Sequence, residues 1–208
     1  MRGGERAERR LWLVRHGETE GQSSIRFHGR NDVRLSDQGR AQIRALAPLL
    51  QYVPFVRIVH SPLQRAAESA AILASLCGLG ERPRDVEERL REISFGACEG
   101  MTQAEIEAAF PQFWRDHRAG HVDAFPDGEP RWQFAARVAA AMHDLAAADW
   151  HGDVLVVSHR GTVRQALRAL LAVPTGAPDT FGVELASVSV VVAVDGGPWQ
   201  LEALGLLP

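Results

Sequence analysis

Two short apolar runs, Leu11-Trp12-Leu13-Val14 and Val154-Leu155-Val156-Val157, stand out, and each is closed by a histidine with a glycine within two residues. Unbroken runs of that length bounded by turn residues predict strands buried on both faces. Val56–His60 predicts a third strand. Between them the spacing turns helical. Ser36 reads as the N-cap of a helix over 37–51 that places Ile43, Leu46, Leu49 and Leu50 on one side. Ser61-Pro62 reads as an N-cap followed by proline at the first helical position, opening a helix that ends near Cys77, before Gly78. Thr102 and Glu105 form a capping-box pattern. Helices are expected around Phe110, Phe113 and Trp114, over 131–148, and over 162–172. Loops are expected at 18–36 and 125–130. A terminal hairpin pairs 186–194 with 199–204 through Asp195-Gly196-Gly197-Pro198. Strands alternating with helices predict an α/β fold: a three-layer α/β/α sandwich around a mostly parallel sheet. With no repeat or linker, the whole span 1–208 reads as one domain, its first nine residues as a flexible leader.

Composition changes this picture little and restricts the chemistry. The chain has 208 residues, 46% hydrophobic, with a net charge of -3. That balance does not favour nucleic acid, which binds basic faces that displace counterions. All 23 basic residues are arginine. Schiff-base chemistry and a P-loop lysine are therefore excluded. GC-rich codon usage explains arginine without lysine better than any functional cause, although the planar guanidinium does suit phosphate. Cys77 and Cys98 are too few for a disulfide framework and fit a reducing cytoplasm. The polar start MRGGERAERR is not followed by a secretory apolar run, and no stretch approaches the ~20 apolar residues that span a bilayer. A soluble cytoplasmic protein is expected.

The candidate chemistry gathers at strand ends. In open α/β sheets ligands bind at the carboxyl ends of strands, so His16 and His159 could meet there. Arg15 adjoins His16, and Arg65 lies in the first turn of the helix after Val56–His60. Two imidazoles and two guanidiniums around one concavity suit a phosphate. At an effective dielectric of ~20 each charge pair at ~4 Å contributes about 4 kcal/mol, against about 1 in water. A histidine with an ordinary pKa near ~6.5 can be neutral and nucleophilic at neutral pH. Taken singly, each of these residues fits a structural or surface role better than a catalytic one. His117 and His121 could share a helical face, but no third ligand accompanies them, so no metal site is expected.

Taken together, the motifs resemble one family. Leu13-Val14-Arg15-His16-Gly17-Glu18-Thr19 is similar to the signature of the histidine phosphatase superfamily, the phosphoglycerate-mutase-like enzymes. The resemblance continues through Arg26-Phe27-His28-Gly29-Arg30-Asn31-Asp32 and Gly39-Arg40-Ala41-Gln42. It goes on at Ser61-Pro62-Leu63-Gln64-Arg65-Ala66, Leu90-Arg91-Glu92, Phe95-Gly96-Ala97-Cys98-Glu99-Gly100, Pro126-Asp127-Gly128-Glu129 and Val156-Val157-Ser158-His159. These blocks keep family order from residue 11 to about 170. The resemblance implies that His16 takes the phosphoryl group, that Arg15, Arg65 and His159 complete the phosphate pocket, and that Glu92 is the general acid. It also marks Gln22 and Gly29 as phosphate contacts and implies no metal or cofactor. Without the resemblance, Glu92 reads as one carboxylate in a charged stretch.

Two positions depart from the family pattern. Gln22 stands where an asparagine is usual, and Arg160 follows the second histidine where glycine is usual. Arg160 either reaches the pocket rim, favouring an acidic substrate, or points to solvent. The compact length resembles the phosphatase branch, so a small phosphomonoester is the expected substrate. A cofactor-dependent mutase and a non-catalytic phospho-ligand binder are the alternatives. Arg26, His28, Arg30, Trp114, Arg115 and His121 could read the organic part of the substrate. The exposed edge of the terminal hairpin leaves a homodimer open.

Overall fold

A computed structural model of the chain describes residues 8–80, 84–174, 177 and 181–208. One six-stranded sheet runs β3-β2-β4-β1-β5-β6. It comprises β1 (Glu8–Arg15), β2 (Phe55–His60), β3 (Arg84–Val86), β4 (Gly152–Ser158), β5 (Val188–Val194) and β6 (Gln200–Leu206). The strands β3, β2, β4 and β1 are parallel, β5 is antiparallel to β1, and β6 closes the hairpin with β5. The fold is thus a mixed, mostly parallel α/β sandwich.

Period-two alternation divides the core between the two faces. Leu11, Leu13, Val154 and Val156 pack with Phe134, Val138 and Met142 of α6 (Arg131–Ala147) and with Val163 and Leu167 of α7 (Arg160–Leu170). Val14, Leu155 and Val157 point the other way, onto Ile43 of α1 (Asp37–Ala45), Leu50 of α2 (Ala47–Leu50), and Ala66, Ala70 and Leu73 of α3 (Gln64–Leu76). Successive side chains of a strand alternate faces, so a strand covered by helices on both must be apolar throughout. A third cluster joins Ile106 of α4 (Gln103–Ala109) and Trp114 of α5 (Pro111–Arg118) to Cys98 and Phe125.

The structure departs from the sequence pattern at several points. The helix expected over 37–51 is two helices meeting at Leu46, because Pro48 lies in the first turn of the second and proline cannot continue a helix. Ser61 does not cap α3: Leu63 occupies the N-cap position, and the Ser61 hydroxyl is engaged elsewhere. The short strand β3 lacks any apolar alternation and escaped notice. The supposed leader contributes Glu8 and Arg9 to β1. Arg9 donates to the Ala146 and Ala148 carbonyls and covers Trp150 at 4.1 Å, which fixes the strand's start. Residues 1–7 of that leader lie outside the described residues.

Candidate active site

The register of β1 against β4 brings the histidines together. Arg15 pairs with Ser158 on adjacent parallel strands, so His16 and His159 each follow the last paired residue. Their ring centroids are 5.2 Å apart in an edge-on arrangement. His16 Nδ1 donates to the Gly17 carbonyl at 2.7 Å, which leaves Nε2 as the unprotonated nitrogen of the neutral ring. Burial, then the charges of Arg65 and Arg15, hold His16 well below the usual imidazole pKa. The ring is therefore a neutral nitrogen base in a cationic setting.

Arg65 is buried by α3 and its donors are distributed with little slack. Nη2 donates to the Gly29 carbonyl at 2.6 Å, Nη1 to the Asn31 carbonyl at 2.7 Å, and Nε to His159 Nδ1 at 3.2 Å. His159 must then carry its proton on Nε2, which donates to Ser61 Oγ at 2.7 Å. A buried imidazole N–H needs an acceptor, and that need claims the Ser61 hydroxyl. Gly29 takes φ +51°, and a Cβ there would sit 2.5 Å from Glu99 Oε1. A side chain at this position would displace the carbonyl that orients Arg65.

Glu92 reaches the same place from the other face of the sheet. Its Oε2 accepts from Gly161 N at 2.9 Å in the first turn of α7, and its Oε1 accepts from Ile93 N at 3.0 Å. Arg137, on α6, donates to the carbonyls of Arg89 and Arg91 at 2.7 Å each and to that of Glu92 at 3.1 Å. The other edge of the same guanidinium is paired with Glu129 at 2.7 and 2.8 Å. Burial alone would raise the Glu129 carboxyl, but its bonds with Arg137 and the charge of Arg30 hold it below the ordinary range.

His16, Arg15, Arg65, Glu92 and Gly29 line one cleft of about 160 Å³, together with Ser23, Ser24, Ile25, Arg26, Phe27, His28, Phe95 and Arg160. Burial, and secondly the charge of Arg160, lower the Arg15 guanidinium to about 10; burial lowers Arg65 to about 10 as well. Both effects would be relieved by an anion between them.

Among the expected residues, His159 is fully buried behind Arg65 and does not line the cleft. Gln22, expected at the phosphate, is exposed and outside the lining; its backbone takes φ +59° to turn the loop, and Ser23 and Ser24 line the cleft instead. Arg160 lies on the rim and is exposed. Of the residues considered for the organic part, Arg26 and His28 line the cleft, whereas Arg30, Trp114, Arg115 and His121 do not. His117 is bonded to Arg131 and stacked on Trp114. Among the described residues no group of three or more His, Cys, Asp or Glu side chains could hold a metal. Sequence reasoning gave no role in the site to Ser61, Glu129, Arg137, Phe27 or Phe95. Ser-Pro imitates a helix cap, and Arg137 sits unmarked within an alanine-rich helix.

Comparison with known proteins agrees with this geometry. The pattern of the histidine phosphatase superfamily (branch 1) matches residues 11–206. A glucosyl-3-phosphoglycerate phosphatase of Mycolicibacterium vanbaalenii is 36% identical over 178 residues, covering 80% of this chain and 76% of that protein. An adenosylcobalamin/alpha-ribazole phosphatase of Salmonella typhimurium is 30% identical over 188 residues, covering 90% and 92%. The solved mycobacterial glucosyl-3-phosphoglycerate phosphatase in complex with VO3 superposes with a TM-score of 0.81 at 30% identity, over 95% of this chain and 98% of that one. The chain belongs to the histidine phosphatase superfamily.

Proposed function

We propose that this phosphatase hydrolyses a small phosphorylated metabolite through a phosphohistidine on His16. The observation that carries the reading is the neutral His16 ring, its Nδ1–H fixed to Gly17 and its Nε2 free, in a cleft shared with Arg15, Arg65 and Glu92. The ester's phosphoryl oxygens lie against the two guanidiniums. Nε2 attacks phosphorus, the P–O bond to the organic group breaks, and Glu92 gives its proton to the leaving oxygen. The phosphorylated ring becomes an imidazolium that keeps its Nδ1–H, still donated to the Gly17 carbonyl. Glu92, now a carboxylate, accepts a proton from water as that water attacks phosphorus. The P–N bond breaks, inorganic phosphate leaves, and neutral His16 returns. Proton transfer of this kind contributes ~10²–10⁴-fold in rate. His159 acts one layer back, holding Arg65 through its Nδ1.

The relatives named for hydrolysis of glucosyl-3-phosphoglycerate and alpha-ribazole esters support a phosphorylated metabolite as the substrate class, and VO3 is an oxyanion of phosphate-like shape. The cleft opens at Ser24 and Ile25, both exposed, which gives water a route to the phosphohistidine and favours hydrolysis over return of the phosphoryl group to a second alcohol. We read the chain as one cytoplasmic domain without nucleic-acid or membrane partners; no helix among the described residues is long and apolar enough to cross a membrane. The outer strand β6 exposes Leu201, Leu204 and Leu206, which supports this edge as the place where two chains would pair.

The test is turnover of p-nitrophenyl phosphate together with mass spectrometry of an acid-labile phosphoenzyme. Wild-type protein should give both, and His16→Ala neither. Activity of more than a few per cent in His16→Ala would refute the assignment.

A further inference from the structure

The cleft holds one more cation than a phosphoryl group requires. Of its four lining arginines, Arg26 is neutralised by Glu105 at 2.9 Å. Arg15 and Arg65 carry two positive charges, which a phosphate monoester dianion matches. Glu92 is held by the Gly161 and Ile93 amides and makes no ion pair with Arg160. Arg160 is left over: among the described residues its guanidinium makes no hydrogen bond and no ion pair, and its charge opposes that of Arg15.

Its place is also informative. A second cavity of about 220 Å³, lined by Ile93, Gly161, Arg164 and Gln165, meets the phosphate cleft at Glu92, Phe95 and Arg160. The leaving oxygen must lie against Glu92 to receive its proton. The organic group of the ester therefore starts at Glu92, where the two cavities meet, and Arg160 lines both of them.

We propose that Arg160 is a specificity-determining residue that binds a carboxylate carried on the alcohol portion of the substrate within a few bonds of the ester oxygen. This rests on the phosphatase reading above and deepens it to a class: phosphomonoesters of hydroxy acids. A single carboxylate supplies the counter-ion that Arg160 lacks among the described residues, and a guanidinium binds it in bidentate fashion.

The matched pair 3-phosphoglycerate and glycerol 3-phosphate, which differ by a carboxylate against a hydroxymethyl group, isolates the effect. Each is measured as a competitive inhibitor of p-nitrophenyl phosphate turnover, so that its own hydrolysis is not needed. Wild-type protein should bind the carboxylate-bearing ester about tenfold or more tighter, the size of effect expected when one partner of a close charge pair is removed. Arg160→Gln should erase most of that ratio, and Arg160→Lys should retain part of it. No preference in wild type, or a preference that survives Arg160→Gln, overturns the inference while leaving the phosphatase reading intact. Equal weakening of both esters in Arg160→Gln also overturns it, because the arginine would then serve the phosphoryl group alone. Absence of p-nitrophenyl phosphate turnover in wild type overturns both readings.

Discussion

Replacing Gly161 with alanine separates the chemistry of Glu92 from the stability of the fold. A Cβ at this position would lie 2.5 Å from Glu92 Oε1 and 3.2 Å from its Cδ. That is about 1 Å inside ordinary van der Waals contact, so the carboxylate must move by about that much. The Gly161 N–H that holds Oε2 at 2.9 Å would lose its alignment at the same time. Misplacing a catalytic group by ~1 Å costs on the order of 10²-fold in rate. Helix propensity works in the opposite direction, because alanine is favoured over glycine within a helix by up to about 1 kcal/mol. The expected outcome is an unchanged or slightly raised melting temperature with a loss of roughly 10²-fold in kcat/KM for an alkyl phosphate. For p-nitrophenyl phosphate the loss should be less than about tenfold, since nitrophenolate departs with little protonation. The appropriate readout is kcat/KM, which reports events up to the first irreversible step and is blind to hydrolysis of the phosphohistidine. Equal losses on the two esters, or alkyl turnover within twofold of wild type, would refute the placement of Glu92 as the acid.

Arg137→Met should remove five hydrogen bonds, three of them to the backbone that carries Glu92, and leave Glu129 buried without its main partner. A destabilisation of about 3–5 kcal/mol is expected by urea unfolding. Adding Glu129→Gln should recover part of the stability but not the rate on alkyl esters, and recovery of both would make the pair a packing element only. The buried histidines give a pH dependence whose sign is set by their lowered pKa values: unfolded His16 and His159 bind protons near ~6.5, whereas the folded rings do not until well below that. Stability should therefore be full above about pH 6.5 and decline as the pH falls below it, by about 1.4 kcal/mol for each unit of depression per ring. Urea midpoints between pH 7.5 and 5.5 check this, and His159→Gln should flatten the slope; an unchanged slope would count against a neutral buried ring.

What could be read in the sequence is the part governed by strand periodicity. Two unbroken apolar runs each end two residues before a histidine, and adjacency of those strands in parallel register suffices to bring the rings of residues 16 and 159 to 5.2 Å. Gly161 was visible as a glycine beside a strand-end histidine, but the atom it makes room for, Glu92 Oε1, comes from a stretch 69 residues earlier and has no signal in that spacing. Arg65 could be anticipated near the edge, whereas its inward aim depends on the carbonyls of Gly29 and Asn31, and main-chain acceptors leave no residue pattern. Ser61 and Pro48 were misread for a related reason. Local propensity offers Ser61 as a cap and tolerates Pro48 inside an amphipathic pattern; the tertiary demand of a buried His159 N–H and the missing proline donor decide otherwise. Gln22 shows the converse. A side chain chosen by motif position misses the cleft because its backbone, at φ +59°, makes the turn that puts Ser23 and Ser24 there. The side chains that bear charge at this site are therefore written in the sequence, while their orientation is set by backbone carbonyls, amides and turns. For that reason the informative substitutions are those at Gly161, Arg137 and Arg160, which change how the site is aimed or what it can hold and leave His16, the proposed nucleophile, in place.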